Sequence, residues 1–169
     1  VAALFASHTP LKDHHHPGDE VARQVDEHLA ALRAWVADFR PDLVVACGPD
    51  HYNGFFYRLM PSFCIGTAAA SVGDWNTPAG PLPVASELAG SCVEHLHAAG
   101  VDVAISHRME VDHGMTQLLH QLFDWSALPP LLPLFVNCAA PPRPPLARVM
   151  ALGRALGDFV ARQDLRVLL

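Results

Sequence analysis

Apolar positions along this chain keep two rhythms that take turns. In "DEVARQVDEHLAALRAWVADF", Val21, Val25, Leu29, Leu32, Val36 and Phe39 recur every three or four residues, which lines one face of a helix over Asp19–Phe39. "DLVVACG" is instead continuously apolar, as a strand buried on both faces would be. "VAALFA" before it and "FCIGTA" after it read as two more strands. Pro83 can open a helix running to residue 98, with Val84, Leu88, Cys92 and Leu96 on one stripe and Gly100 as its stop. Then follow a strand "VDVAIS", a loop "HRMEVDHG", a helix over 115–123 and a strand "LLPLFVN". The proline-rich "CAAPPRPP" leads to a helix over 146–162 and a last strand, "LRVLL".

Strands alternating with helices imply a largely parallel sheet covered on both faces. The expected fold is therefore an α/β three-layer sandwich. No repeat, long linker or low-complexity segment divides the chain, so residues 1–169 are expected to form one domain.

Composition narrows the function classes. Hydrophobic residues make up 51% and charged residues 17%, which suits a chain with a large core, not a disordered one. A net charge of −6, with Lys12 the single lysine, argues against nucleic acid as a partner. No apolar run reaches the roughly 18 residues of a membrane span, and "VAALFA" lacks the basic start of a secretion signal. The expected setting is the cytoplasm. Cys47, Cys64, Cys92 and Cys138 are too widely spaced for a zinc ribbon or a CxxC redox motif and read as free, buried thiols.

Eleven histidines are the compositional anomaly. His14 to His16 read as a solvated loop or a tag fragment. Three others stand where α/β sheets bind ligands, just past strand ends. His8 follows the first strand in "SHTP", His51 follows "DLVVACG" in "PDHYNG", and His113 follows "VDVAIS" in "VDHG". If those strands are neighbours, the imidazoles meet at one sheet edge. Pro10, Pro49, Gly54 and Gly114 would stiffen or tighten the loops that carry them. Each histidine alone is more often a hydrogen-bonded loop residue than a ligand. Together, two histidines and a carboxylate on one face would make an iron(II) site.

The stretches "SHTPL", "PDHYNGFFY", "MPSFCIG", "GDW", "AGPLPV" and "VDHG" resemble the type III extradiol ring-cleavage dioxygenases across essentially the whole chain. The resemblance implies an Fe(II) enzyme that opens a catechol ring beside its two hydroxyls using O2. It implies His8 and His51 as metal ligands and His113 as a catalytic proton-transfer group. The family's glutamate ligand and second catalytic histidine belong later than "LRVLL", so the chain is expected to be the N-terminal part of a longer enzyme. Asp112 could orient His113 or simply solvate its loop. Phe55 and Phe56 read as core, and Asp50 is expected to point away from His51. A symmetric homo-oligomer is the expected assembly. Two other readings stay open: a zinc-dependent or metal-free relative on the same fold, which would consume no O2, and a non-catalytic binding module.

Overall fold

A computed structural model of the chain describes residues 1–169 except Pro10, Lys12 and Asp13. Pro10, read above as stiffening the loop after His8, thus lies outside the described residues.

The strand β1 (Leu43–Gly48) shows how the layers arise. Its side chains alternate, so Leu43 and Val45 enter one core while Val44 and Ala46 enter another. The same alternation recurs in β2 (Phe63–Gly66), where Phe63 and Ile65 face one way and Cys64 the other. Each face is then covered by a pair of helices. α2 (Ser86–Ala98) and α4 (Leu146–Ala161) contribute Leu96, Cys92, Leu156 and Phe159 to the first core. α1 (Asp19–Phe39) and α3 (His113–Leu122) contribute Val36, Met115, Leu119 and Leu122 to the second. The result is the expected three-layer α/β sandwich.

Besides β1 and β2, the strands among the described residues are β3 (Ala69–Ser71), β4 (Gly80–Pro81), β5 (Ala104–Ser106), β6 (Met109–Val111), β7 (Leu131–Val136) and β8 (Val167–Leu168). The main sheet has the order β5-β2-β7-β1-β8. β1 is parallel to both β7 and β8, and β2 is parallel to β5, while the β2–β7 pair alone is antiparallel. A second, three-stranded sheet has the order β4-β3-β6, with β3 and β6 parallel.

Several expectations shift. "VAALFA" pairs with β8 through a single parallel bridge, Ala2 to Leu168, and through hydrogen bonds from the N–H groups of Ala2 and Leu4 to the carbonyls of Val167 and Leu169. Phe5 is 93% exposed on that segment. The second helix begins at Ser86 rather than Pro83, because residues 83–85 pair with the start of β7: Val84 bridges Leu131, and the Ala85 N–H donates to the Leu131 carbonyl. "HRMEVDHG" is not wholly loop, since Met109 and Val111 bury as alternate residues of β6. The apolar stripe of α1 is buried only at Val36, with Val21 and Val25 exposed. The ten-residue α3 meets only the C-terminal half of this 21-residue helix, where Arg33 also donates to the Gln121 carbonyl. Arg40 ends α1 in a left-handed conformation ahead of Pro41, which cannot continue a helix.

Of the four thiols, Cys64 and Cys92 are buried, and burial pushes them up to about 11 and about 12. Cys47 and Cys138 are exposed, contrary to the expectation of four buried thiols. Among the described residues no helix is long and apolar enough to cross a membrane.

Candidate metal and proton-transfer site

Parallel neighbours deliver their following residues to the same edge, and this is what assembles the site. The segment carrying His8 runs parallel to β8, which lies beside β1, and His51 follows β1. His113 arrives by another route. The "VDVAIS" strand, β5, lies at the far edge of the main sheet from β8, so it cannot bring His113 to the others. β6 does so instead, handing the chain directly to the first turn of α3. The start of α3 lies against the end of β1, where a Cβ on Gly48 would stand 2.8 Å from the Gly114 carbonyl oxygen. A Cβ on Gly114 would meet Asp112, His51 and Pro49, each at 3.0 Å, so only glycine lets the helix start come this close.

The three imidazoles converge. Ring centroids lie 5.2 Å apart for His8 and His51, 6.1 Å for His8 and His113, and 4.4 Å for His51 and His113, the last pair stacked. Burial, then the neighbouring His51 and His113, pull His8 below the ordinary imidazole range, with Asp112 opposing. His8 is thereby held in the neutral form that binds metals.

Two carboxylates grip two of these rings in the same manner. Asp112 accepts the backbone N–H of His51 at 2.7 Å and lies 3.1 Å from its Nδ1. Asp74 accepts the backbone N–H of His113 at 2.8 Å and lies 2.6 Å from its Nδ1. A carboxylate can only accept, so in both rings Nδ1 carries the hydrogen, and in the neutral ring Nε2 is the nitrogen with the lone pair. Such a carboxylate behind a histidine fixes the ring's orientation for a metal or a proton.

Asp112 is completely buried, which excludes the solvating role considered for it. It also accepts from the Asn53 amide at 2.9 Å and, as the N-cap of α3, from the Gly114 N–H at 2.9 Å. Burial alone would raise its carboxyl; these donors and the His51 ring outweigh that and hold it below the usual carboxylate range. Metal-binding atoms of His51, Asp112 and His113 lie within 4.8 Å of one another. Three of the four donors to Asp112 converge on Oδ2 and one on Oδ1, so the carboxylate already serves to orient His51.

Asp50 accepts backbone N–H groups of Tyr52, Asn53, Gly54 and Phe55. Burial nevertheless pushes its carboxyl up. This loop closes against β6 at Gly54, where a Cβ would sit 2.1 Å from the Glu110 carbonyl oxygen. Phe55 stacks on Phe135 at 4.3 Å, whereas Phe56 is 48% exposed and not core. An apolar groove of about 390 Å³ is lined by Leu4, Phe5, Met115, Leu118 and Leu122 together with His8. His8 alone of the three imidazoles reaches it, so the groove adjoins the trio without containing it.

Sequence reasoning missed Asp74 as a partner and gave Trp75 no role, yet the Trp75 ring stands edge-on to His113 at 6.0 Å. The signal was present in "GDW", but its meaning depends on the β3–β6 pairing.

Three imidazoles, two of them oriented by carboxylates, gathered at one edge of an α/β sheet make a site of the kind that could hold a metal ion. Residues 2–169 match the family described as the catalytic LigB subunit of aromatic ring-opening dioxygenase, and the chain belongs to that family. It is 52% identical over 169 residues to a 2,3-dihydroxyphenylpropionate/2,3-dihydroxicinnamic acid 1,2-dioxygenase of Mycolicibacterium smegmatis, covering 100% of this chain and 54% of the relative. Enzymes of the same name from Pseudomonas putida and Azotobacter vinelandii are each 47% identical, over 96% of this chain and 52% of theirs. The chain thus spans about half the length of the curated relatives it matches.

Proposed function

We propose that this chain supplies two metal ligands and one proton-transfer group to an extradiol dioxygenase that cleaves a catechol such as 2,3-dihydroxyphenylpropionate with Fe(II) and O2. In this reading it is the N-terminal part of a single α/β catalytic domain in a longer, cytoplasmic, homo-oligomeric enzyme. The observation that carries the reading is the convergence of His8, His51 and His113 from three separate segments, with Nδ1 of His51 and of His113 each set against a carboxylate.

The donor set fits the metal. His8 is held neutral, and His51 is oriented by a buried carboxylate, the arrangement that ligating histidines use. His8 and His51 would hold iron(II), which when bound supplies Lewis acidity towards the catechol hydroxyls and a redox path to O2. The remaining roles belong to the protein. Asp112 and Asn53 keep the His51 ring from turning. His113, buried and gripped at its backbone and Nδ1, offers Nε2 as the base that takes a hydroxyl proton and the acid that returns it.

The test uses a protein of the relatives' length containing this chain. His8→Ala and His51→Ala are expected to lose iron by metal analysis. His113→Ala is expected to keep iron while catechol-dependent O2 uptake falls about 10²–10⁴-fold. A full iron complement in His8→Ala or His51→Ala would refute the ligand assignment, and zinc-supported turnover without O2 uptake would replace the reaction.

A further inference from the structure

We propose that Asp74 is a positioning residue for His113, fixing the ring tautomer so that Nε2 is the nitrogen presented for proton transfer. Its catalytic consequence rests on the ring-cleavage reading; the tautomer itself does not.

The juxtaposition follows from strand register. β3 and β6 are parallel and adjacent, with Ser71 opposite Val111, and the Val72 N–H extends the ladder to the Val111 carbonyl. Residues leaving the two strands therefore travel side by side, which brings Asp74 to His113 across 39 positions of sequence. The turn after β3 is built around this meeting. Gly73, Trp75 and Asn76 all have positive φ, at 76°, 49° and 62°, which glycine and asparagine accept readily and the tryptophan does not. The N–H and hydroxyl of Thr77 donate back to the Asp74 carbonyl at 3.0 and 2.7 Å, closing the turn.

A purely structural explanation is that Asp74 ties the start of α3. The Oδ1 contact with the His113 N–H would satisfy that role by itself. The second oxygen goes further and meets Nδ1 of the imidazole at 2.6 Å, which stabilising the helix end does not require. The pair resembles the Asp112–His51 arrangement, in which one carboxylate also meets both the backbone N–H and Nδ1 of its histidine, there through Oδ2 alone and at Asp74 through one oxygen each. With Nδ1–H committed to Asp74, Nε2 accepts the proton from a substrate hydroxyl, and the resulting imidazolium faces a carboxylate. The proton then returns from Nε2. The Trp75 ring, carried on the same turn as Asp74, stands edge-on to the imidazole at 6.0 Å.

An asparagine at this position is nearly isosteric but presents an amide that can donate to Nδ1, favouring the opposite tautomer. In the full-length enzyme, Asp74→Asn should lower kcat about 10–100-fold with iron content unchanged. KM for 2,3-dihydroxyphenylpropionate should stay within about twofold. Asp74→Glu, which restores a carboxylate, should recover most of the lost rate. Adding Asp74→Asn to His113→Ala should cost nothing further, since both act through one ring. An independent readout needs no turnover. Long-range ¹H–¹⁵N spectra of the full-length protein, free of paramagnetic metal and at about pH 9 where imidazoles are neutral, should show hydrogen on Nδ1 of His113. Asp74→Asn should move it to Nε2. Hydrogen on Nε2 in the unsubstituted protein, or full activity in Asp74→Asn, overturns the proposal, as does equal loss in the Asn and Glu variants. If the unsubstituted enzyme cleaves no catechol, the reaction reading fails while the spectra still decide the tautomer.

Discussion

Asp112 and His113 are adjacent in the chain yet serve different partners. Asp112 caps α3 and reaches sideways to His51, while His113 is held by Asp74. Adjacent residues at a helix start diverge, because the capping residue is extended and the next enters the helix. The nearest acid in the sequence is therefore the wrong acid for His113. The residue-scale prediction concerns Asp112, whose engaged oxygens make it an orienting group. Asp112→Asn leaves a neutral group with one accepting oxygen, so either the Gly114 N–H or the His51 and Asn53 donors lose their acceptor. In the full-length enzyme, iron affinity should fall about 10–100-fold in a chelator competition. The circular dichroism of the fold should barely change.

At the scale of elements, the helices and the long strands were legible because their apolar periods are long and unambiguous. α1, β1, β7 and α4 lie where the pattern put them. β6 was hidden because three residues give too little alternation to recognise, and its role in the site depends on pairing with β3, which no local pattern encodes. The convergence of His8, His51 and His113 was legible, but the strand expected to deliver His113 was not the one that does. Residues with a chemical signature could be read singly; Asp74 acquires meaning only from register. Helix α4 offers a test of element stability independent of the site. Gly153 and Gly157 lie in its exposed interior, and a Cβ at either meets nothing within 4 Å. Gly153→Ala and Gly157→Ala should each stabilise by about 0.5–1 kcal/mol. Together they should raise the melting temperature by a few degrees, with iron binding unaltered.

Across the whole molecule, two separate cores flank the main sheet, and the strand pair β1–β8 belongs to both through Leu43 and Val167 on one face and Val44 and Leu168 on the other. This pair is clasped at its start by Asp42, which accepts from the Arg166 guanidinium at 2.8 and 3.0 Å and from its backbone N–H at 2.8 Å. The Arg166 side chain and N–H hold the Asp42 carboxyl at about 2, below its ordinary 3.8. A depressed folded-state value means that the clasp contributes fully above about pH 4, and that the contribution disappears as pH falls towards 2. Asp42→Asn should therefore melt below the unsubstituted protein at about pH 6. The gap between them should narrow steadily as the solution is acidified from about pH 4. A gap independent of pH would assign the effect to something other than this carboxylate.

The direction of β8 has one more consequence. Being parallel to β1, it points its outgoing end towards the rim where β1 gives way to Pro49 and His51, while β2 and β5 point the opposite way. Any segment attached beyond Leu169 would emerge beside the imidazoles, so side chains encoded far downstream could join them without crossing the sheet.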